Sequence, residues 1–291
     1  MATNPRRSIL YMPGSNNRAL EKARSLDADV LILDLEDAVA PSQKVYAREQ
    51  VLAAVNAGGY GRRELVVRVN GFDTAWGRKD IEAFANAPIS ALCLPKVESA
   101  AEIHAVVQVL KQAGASPSLK LWAMAETPRG ILAVSEIAGS HPLMDGIVLG
   151  TSDLAKDLRV PHTPQRLGML TSLGMCVLAA RAYGIDVFDG VHLNLDDEEG
   201  LRLACEQGVE MGFDGKTLIH PKQIAVTNQA FSPAEDTLIR AQKIRVAWQE
   251  AEADGKGVVL LDGRLVEALH VEEAVRVLAI AEQIATRDAQ N

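Results

Sequence analysis

The chain has 291 residues, 48% hydrophobic and 23% charged, with a formal net charge of −8. This is ordinary globular composition; it excludes disordered, collagenous and coiled-coil readings, and the acidic balance argues against nucleic acid as the main partner. Strongly apolar runs such as 30–33 and 258–261 fall far short of the ~20 residues of a membrane span, so no membrane partner is expected.

The paired Arg6-Arg7 near the start has no apolar segment beside it, so no secretory signal is expected and the chain reads as cytoplasmic. Short β-rich runs then recur between stretches of helical periodicity, at 8–12, 30–35, 65–70, 91–94, 119–125, 146–149, 185–188 and 217–219. The last is the weakest, because Gly215 interrupts it. Eight such repeats predict a (β/α)8 barrel with a parallel sheet. Helix signals separate them: Ser15 before 18–24, Ser42 before 44–55, and the capping-box spacing of Ser99 and Glu102 before a run to Leu110. Pro164 opens a helix over 165–183, which Gly184 closes. After His220-Pro221 the pattern changes to a long helix around 234–253, a break at Gly255-Lys256-Gly257, a strand-turn at 258–263 and a last helix. The expected division is a barrel over 1–230 and a C-terminal helical extension over 231–291, packed on the barrel or on a neighbouring subunit.

In such a barrel, chemistry gathers where the strands end and the following loops converge. The expected ends carry Pro13-Gly14-Ser15-Asn16, Asp34-Leu35-Glu36-Asp37, Arg68-Val69-Asn70, Pro95-Lys96-Val97-Glu98, Glu126-Thr127, Thr151-Ser152-Asp153, Asp189 and His220-Pro221. Glu36, Asp37, Glu126 and Asp153, with Lys96 and Arg68 beside them, offer the oxygen ligands that suit magnesium or manganese. Zinc is disfavoured, because the six histidines show no HxH or HExxH spacing and the three cysteines no CxxC pair. Neither a GxGxxG nor a P-loop occurs, and Gly150-Thr151-Ser152 is no nucleophile elbow. The excess of Arg6, Arg7, Arg18, Lys22 and Arg24 over Glu21 reads either as a solvated basic face or as a phosphate grip near the mouth.

The phrases Arg7-Ser8-Ile9-Leu10-Tyr11-Met12-Pro13-Gly14, Asp34-Leu35-Glu36-Asp37-Ala38-Val39, Val67-Arg68-Val69-Asn70, Leu94-Pro95-Lys96-Val97-Glu98, Ala125-Glu126-Thr127-Pro128, Thr151-Ser152-Asp153-Leu154 and Gly215-Lys216-Thr217-Leu218-Ile219-His220-Pro221 resemble, in order, the citrate lyase β-subunit-like proteins of the HpcH/HpaI aldolase/citrate lyase family. Malyl-CoA and citramalyl-CoA lyases are also members. The resemblance implies a TIM barrel with magnesium held by Glu126 and Asp153, Arg68 on the substrate, and Glu36 and Asp37 holding metal-bound waters. It further implies that the amides of Thr151, Ser152 and Asp153 receive an oxo-acid carboxylate, that the N-terminal basic residues face coenzyme A phosphates, and that the chain forms homotrimers or hexamers. The implied reaction is magnesium-dependent cleavage of a 3-hydroxy-3-carboxyacyl-CoA to acetyl-CoA and a 2-oxo acid. Two alternatives share the site: malyl-CoA thioesterase action, and service as a citrate lyase β subunit on an acyl-carrier thioester. Where the family's C-terminal segment carries a catalytic aspartate this chain has Glu267, in Gly263-Arg264-Leu265-Val266-Glu267, which reads either as that acid/base residue or as an ordinary exposed helix-start acid. The extra methylene displaces that acid/base carboxylate by roughly 1 Å, enough to matter in a tightly positioned reaction.

Overall fold

The computed structural model of the protein describes residues 5–289, Asp254 and Lys256 excepted; the expected boundaries at 1 and 291 and Lys256 of the expected break lie outside them. Two compact units result, Arg6–Phe231 and a second that runs on from Ser232 and includes Pro5.

In the first unit the order is β1 (Ser8–Pro13), α1 (Asn17–Ala23), β2 (Val30–Asp34), α2 (Lys44–Ala57), β3 (Glu64–Arg68), α3 (Gly77–Phe84), β4 (Ala91–Leu94), α4 (Ala100–Gln112), β5 (Lys120–Ala125), α5 (Pro128–Leu132), α6 (Val134–Ala138), β6 (Met144–Leu149), α7 (Thr151–Leu158), α8 (Leu170–Tyr183), β7 (Asp186–Asp189), α9 (Glu198–Met211), β8 (Gly215–Leu218) and α10 (Ile224–Ala230). β1 to β8 close a barrel in sequence order, every pair parallel. Their apolar runs are nearly continuous because both faces are covered. Ile9, Val30, Ile32, Val66, Ala91, Cys93, Trp122, Met124, Val148 and Phe188 fill the interior. The alternate residues, such as Leu10, Leu31, Val67, Leu92 and Val187, pack under the helices.

Several local expectations change. β8 begins at Gly215 itself: a side chain there would run into the Arg6 carbonyl, beside which the Lys216 amide bonds to the Arg7 carbonyl at 2.9 Å. The glycine makes the barrel closure possible. Asn16, not Ser15, caps α1, and a 3-10 turn, Pro41–Gln43, stands where Ser42 was expected to cap α2. Ser99 is the N-cap residue of α4 but spends its hydroxyl on Glu102 at 3.0 Å, so no side-chain cap forms. The helix expected over 165–183 starts only at Leu170, because Arg159 and Arg166 adopt left-handed φ of 58° and 51° in the loop before it.

The second unit holds α11 (Glu235–Ala253), the antiparallel strands β9 (Val259–Leu261) and β10 (Arg264–Val266), and α12 (Ala268–Asp288). Ala241, Ile244, Val266, Ala274 and Val277 form its core. Among the described residues no helix is long and apolar enough to cross a membrane.

Candidate active site

At the carboxyl ends of β2 to β6 the polar residues converge. The β2–β3 register puts Asp34 opposite Arg68, and the carboxylate grips the guanidinium at two points, Nε to Oδ1 at 2.7 Å and Nη2 to Oδ2 at 2.6 Å. Asp34 also accepts the Glu36 amide at 2.9 Å and the Ala38 amide at 3.2 Å. It thus fixes both the arginine and the acidic loop. Nη1 of Arg68 lies 3.2 Å from Glu36 and 3.7 Å from Asp37, and the guanidinium carbon sits 4.7 Å from the Tyr11 ring centroid. Burial works against the charge of Arg68, but Tyr11, Asp34 and Glu36 outweigh it and hold the group above its ordinary range.

Lys96 follows β4 in a left-handed conformation, φ 50°. Its amide donates to Glu126 Oε1 at 2.7 Å, while its ammonium reaches Glu36 at 2.9 Å, Asp153 at 3.6 Å and Asp37 at 4.0 Å. All four carboxylates singled out in the sequence therefore meet around one residue. Burial pushes Glu36 upward, but Arg68 and Lys96 bring it below the usual glutamate range. Asp37 is raised by burial and by its neighbour Glu36. Glu126 is only 2% exposed, and burial lifts its pKa to about 7 although Lys96 and Arg68 oppose the shift.

Glu126 can come this close to the next loop because residue 150 is glycine: a Cβ there would collide with the Cβ and Oε2 of Glu126. Gly150 then caps α7, whose first turn holds buried Thr151, exposed Ser152 and half-buried Asp153. Glu126 and Asp153 offer hard oxygen donors with Glu36 and Asp37 beside them, a donor set that fits a divalent cation of the magnesium type. Among the described residues no three histidine, cysteine, aspartate or glutamate side chains form a metal cage. Two carboxylates leave coordination positions for water and substrate.

Other expected rim residues serve the scaffold. Asp189 turns away from the interior towards α9: its carboxylate takes Lys216 at 2.7 Å and Arg166 at 2.6 Å and approaches Gly208. Burial would raise its pKa, and those two cations bring it below the ordinary value. Asn70 bonds Asp80 at 2.6 Å, and His220 caps the turn Pro221–Gln223. Arg6 and Arg7 do not reach the mouth. They precede β1 at the opposite pole, where Arg6 meets Glu64 at 2.8 Å, Asp145 at 2.8 Å and Asp186 at 2.7 Å, and Arg7 meets Asp29 at 2.9 Å. The phosphate-grip reading is thus corrected for these two, whose charge is consumed by buried and half-buried acids. Arg18 and Lys22 remain exposed on α1. Glu267 lies in the second unit as the N-cap of α12, its carboxylate accepting from the first-turn backbone while His270 Nδ1 accepts the Glu267 amide at 3.1 Å.

Asp34, expected only as one of the strand-end residues, and Tyr11 are contributors to which the sequence assigned no role.

The family match decides the relationship: residues 7–221 fit HpcH/HpaI aldolase/citrate lyase. The chain belongs to this family. It is 51% identical over 282 residues to a (3S)-malyl-CoA thioesterase of Cereibacter sphaeroides, covering 97% of this chain and 96% of the relative. It is 36% identical to the citrate lyase β subunit of Leuconostoc mesenteroides, with 95% and 93% covered. Among solved structures, CitE from Mycobacterium tuberculosis in complex with magnesium, acetoacetate and coenzyme A is similar at a TM-score of 0.77 and 29% identity, over 97% of this chain and all of that one, 100%.

Proposed function

We propose that this family member is a magnesium-dependent enzyme acting on coenzyme A thioesters of 3-hydroxy dicarboxylic acids, and that it hydrolyses (3S)-malyl-CoA to malate and free coenzyme A. The observation that carries this choice is the 51% identity, over nearly the full length of both chains, to a relative bearing that name; the citrate lyase β subunit of L. mesenteroides stands at 36%. Carbon–carbon cleavage to acetyl-CoA and a 2-oxo acid is the second reading. It is favoured by the family and by the M. tuberculosis structures with magnesium and acetoacetate or oxaloacetate.

Glu126 and Asp153 would hold the magnesium, which supplies Lewis acidity to a bound substrate oxygen. Manganese would serve in its place. Arg68, immobilised by Asp34, presents its remaining nitrogen towards the mouth and stabilises the oxyanion that develops at the thioester carbonyl. Glu36 and Asp37 hold the waters around the metal. The free amides of Thr151, Ser152 and Asp153, at the start of α7, receive a substrate carboxylate. Glu267 would take the proton of the attacking water and return it to the sulfur as the C–S bond breaks; in the cleavage reading it exchanges the proton of the acetyl methyl. That assignment goes with a homo-oligomer, a trimer or hexamer, in which the carboxylate comes from another subunit.

The test is to supply malyl-CoA to the purified chain with Mg²⁺ or EDTA and to analyse products by mass spectrometry. Malate and free coenzyme A in equal amounts, abolished by EDTA and by Glu126→Gln, are expected. Acetyl-CoA with glyoxylate would establish the cleavage reading, and metal-independent turnover would refute both.

A further inference from the structure

The cation already present among the mouth carboxylates belongs to the chain itself. Lys96 is the residue that all four acids share, with its amide on Glu126 at 2.7 Å and its ammonium 2.9 Å from Glu36, 3.6 Å from Asp153 and 4.0 Å from Asp37. The backbone that allows this is strained: a lysine at φ 50° persists only where its surroundings overdetermine it. Two further cations lie here: Arg68 is fastened at two nitrogens by Asp34 and is 7% exposed, and Lys44, also 7% exposed, spends its ammonium on the Leu35 and Glu36 carbonyls at 2.9 and 2.7 Å. The Lys96 side chain is 45% exposed and anchored only through its ammonium. A lysine ammonium is a compact charge on a flexible stem, able to leave into water without breaking a fork of bonds.

We propose that Lys96 is a tethered cation, which neutralises the carboxylate cluster in the metal-free protein and gives way when a divalent ion binds. This rests on the reading that Glu126 and Asp153 are the metal ligands. Because the ammonium contacts Asp153 and compensates Glu36 and Asp37, it competes electrostatically with an incoming cation. Lys96 thereby lowers divalent affinity and acts as a positioning residue for the acids. The sign separates this role from an ordinary structural one: loss of a scaffold residue weakens metal binding, whereas loss of a competitor tightens it.

The experiment titrates Mn²⁺ against the full-length chain, following the free-ion electron paramagnetic resonance signal, for wild type, Lys96→Met and Glu126→Gln. Methionine keeps an unbranched stem and removes the charge. At least tenfold tighter binding by Lys96→Met than by wild type is expected, with binding lost in Glu126→Gln. Unchanged or weaker binding by a folded Lys96→Met, while Glu126→Gln has lost it, overturns the tethered-cation role and leaves the ligand assignment standing. Equal binding by wild type and Glu126→Gln, or no binding by any protein, overturns the ligand assignment and the proposal with it. A second measurement needs no variant: acylation of Lys96 by an amine-reactive reagent, read by peptide mass spectrometry, rises severalfold on addition of saturating Mg²⁺ while the other lysines stay constant. No rise refutes the proposal even if Lys96→Met does not fold.

Discussion

Asp34→Asn tests how far the site depends on a residue that touches no expected ligand. The carboxylate makes two charged bonds to Arg68, at 2.7 and 2.6 Å, with side chains 1% and 9% exposed. Asparagine retains one acceptor oxygen and turns an NH2 towards a nitrogen that needs an acceptor. Breaking a buried pair by neutralising one partner costs about 3–5 kcal/mol, because the other charge stays buried. At about 2–4 °C per kcal/mol for a unit of this size, Tm falls by about 6–20 °C. Arg68 also loses its fixed direction, and a shift of about 1 Å at a reacting centre lowers turnover about 10²-fold. The assays are differential scanning calorimetry and kcat/KM for malyl-CoA. Wild-type values for both would refute the argument, and a normal Tm with depressed kcat/KM would confine Asp34 to orientation.

Gly150→Ala forces a Cβ into Glu126; it is expected to cost about 1–3 kcal/mol in chemical denaturation and to abolish the Mg²⁺ response of activity, which the same assay with a metal titration reads. At the opposite pole, burial and then Asp214 raise the Asp186 pKa to about 6 against the pull of Arg6. The folded state binds more protons than the unfolded state between the ordinary value of 3.8 and about 6, so this group's contribution falls as pH rises through that window. Discounted for partial exposure, the change is about 1–2 kcal/mol, checked as the difference between wild-type and Asp186→Asn unfolding free energies at pH 4.5 and 7. Glu267→Gln is expected to lower kcat at least 10²-fold, with Tm little changed because glutamine retains a capping oxygen; undiminished turnover would leave Glu267 as a helix cap alone.

The barrel was legible because most of its strands hold a short apolar run buried on both faces, a pattern that needs no knowledge of partners; β8, Gly215-Lys216-Thr217-Leu218, is the exception and was the weakest expectation. Glu126, Asp153, Glu36 and Lys96 were legible for the same reason, as the charged residues following those runs. Asp34 was not, since it looks like one more acid beside Glu36 and Asp37. Only the strand register, Asp34 opposite Arg68, gives it a partner. Asp189 misled because side chains alternate along a strand: Phe188 fills the interior, so its neighbour faces the helices. The basic start misled because the acids that neutralise it are scattered through the chain. Glu64, Asp145 and Asp186 stand 58, 139 and 180 residues from Arg6.

The two poles of the barrel solve one electrostatic problem with different residues. At the amino pole, Arg6 bonds three carboxylates at 2.7–2.8 Å and lies 5.2 Å from the Trp122 ring centroid, with its side chain 17% exposed. A planar guanidinium with several donors saturates such a cluster and cannot leave without stranding three acids, so that pole is closed. At the mouth, the acids instead surround a lysine whose side chain is 45% exposed, and the arginine behind it is held back by Asp34. Exchanging the two side chains would invert the logic: an arginine at 96 would lock the acids together, whereas a lysine at 6 would leave Asp145, Asp186 or Glu64 partly uncompensated. On the tethered-cation proposal, arginine stands where a cluster stays shut and lysine where one can open, which is consistent with placing the proposed chemistry at the carboxyl pole.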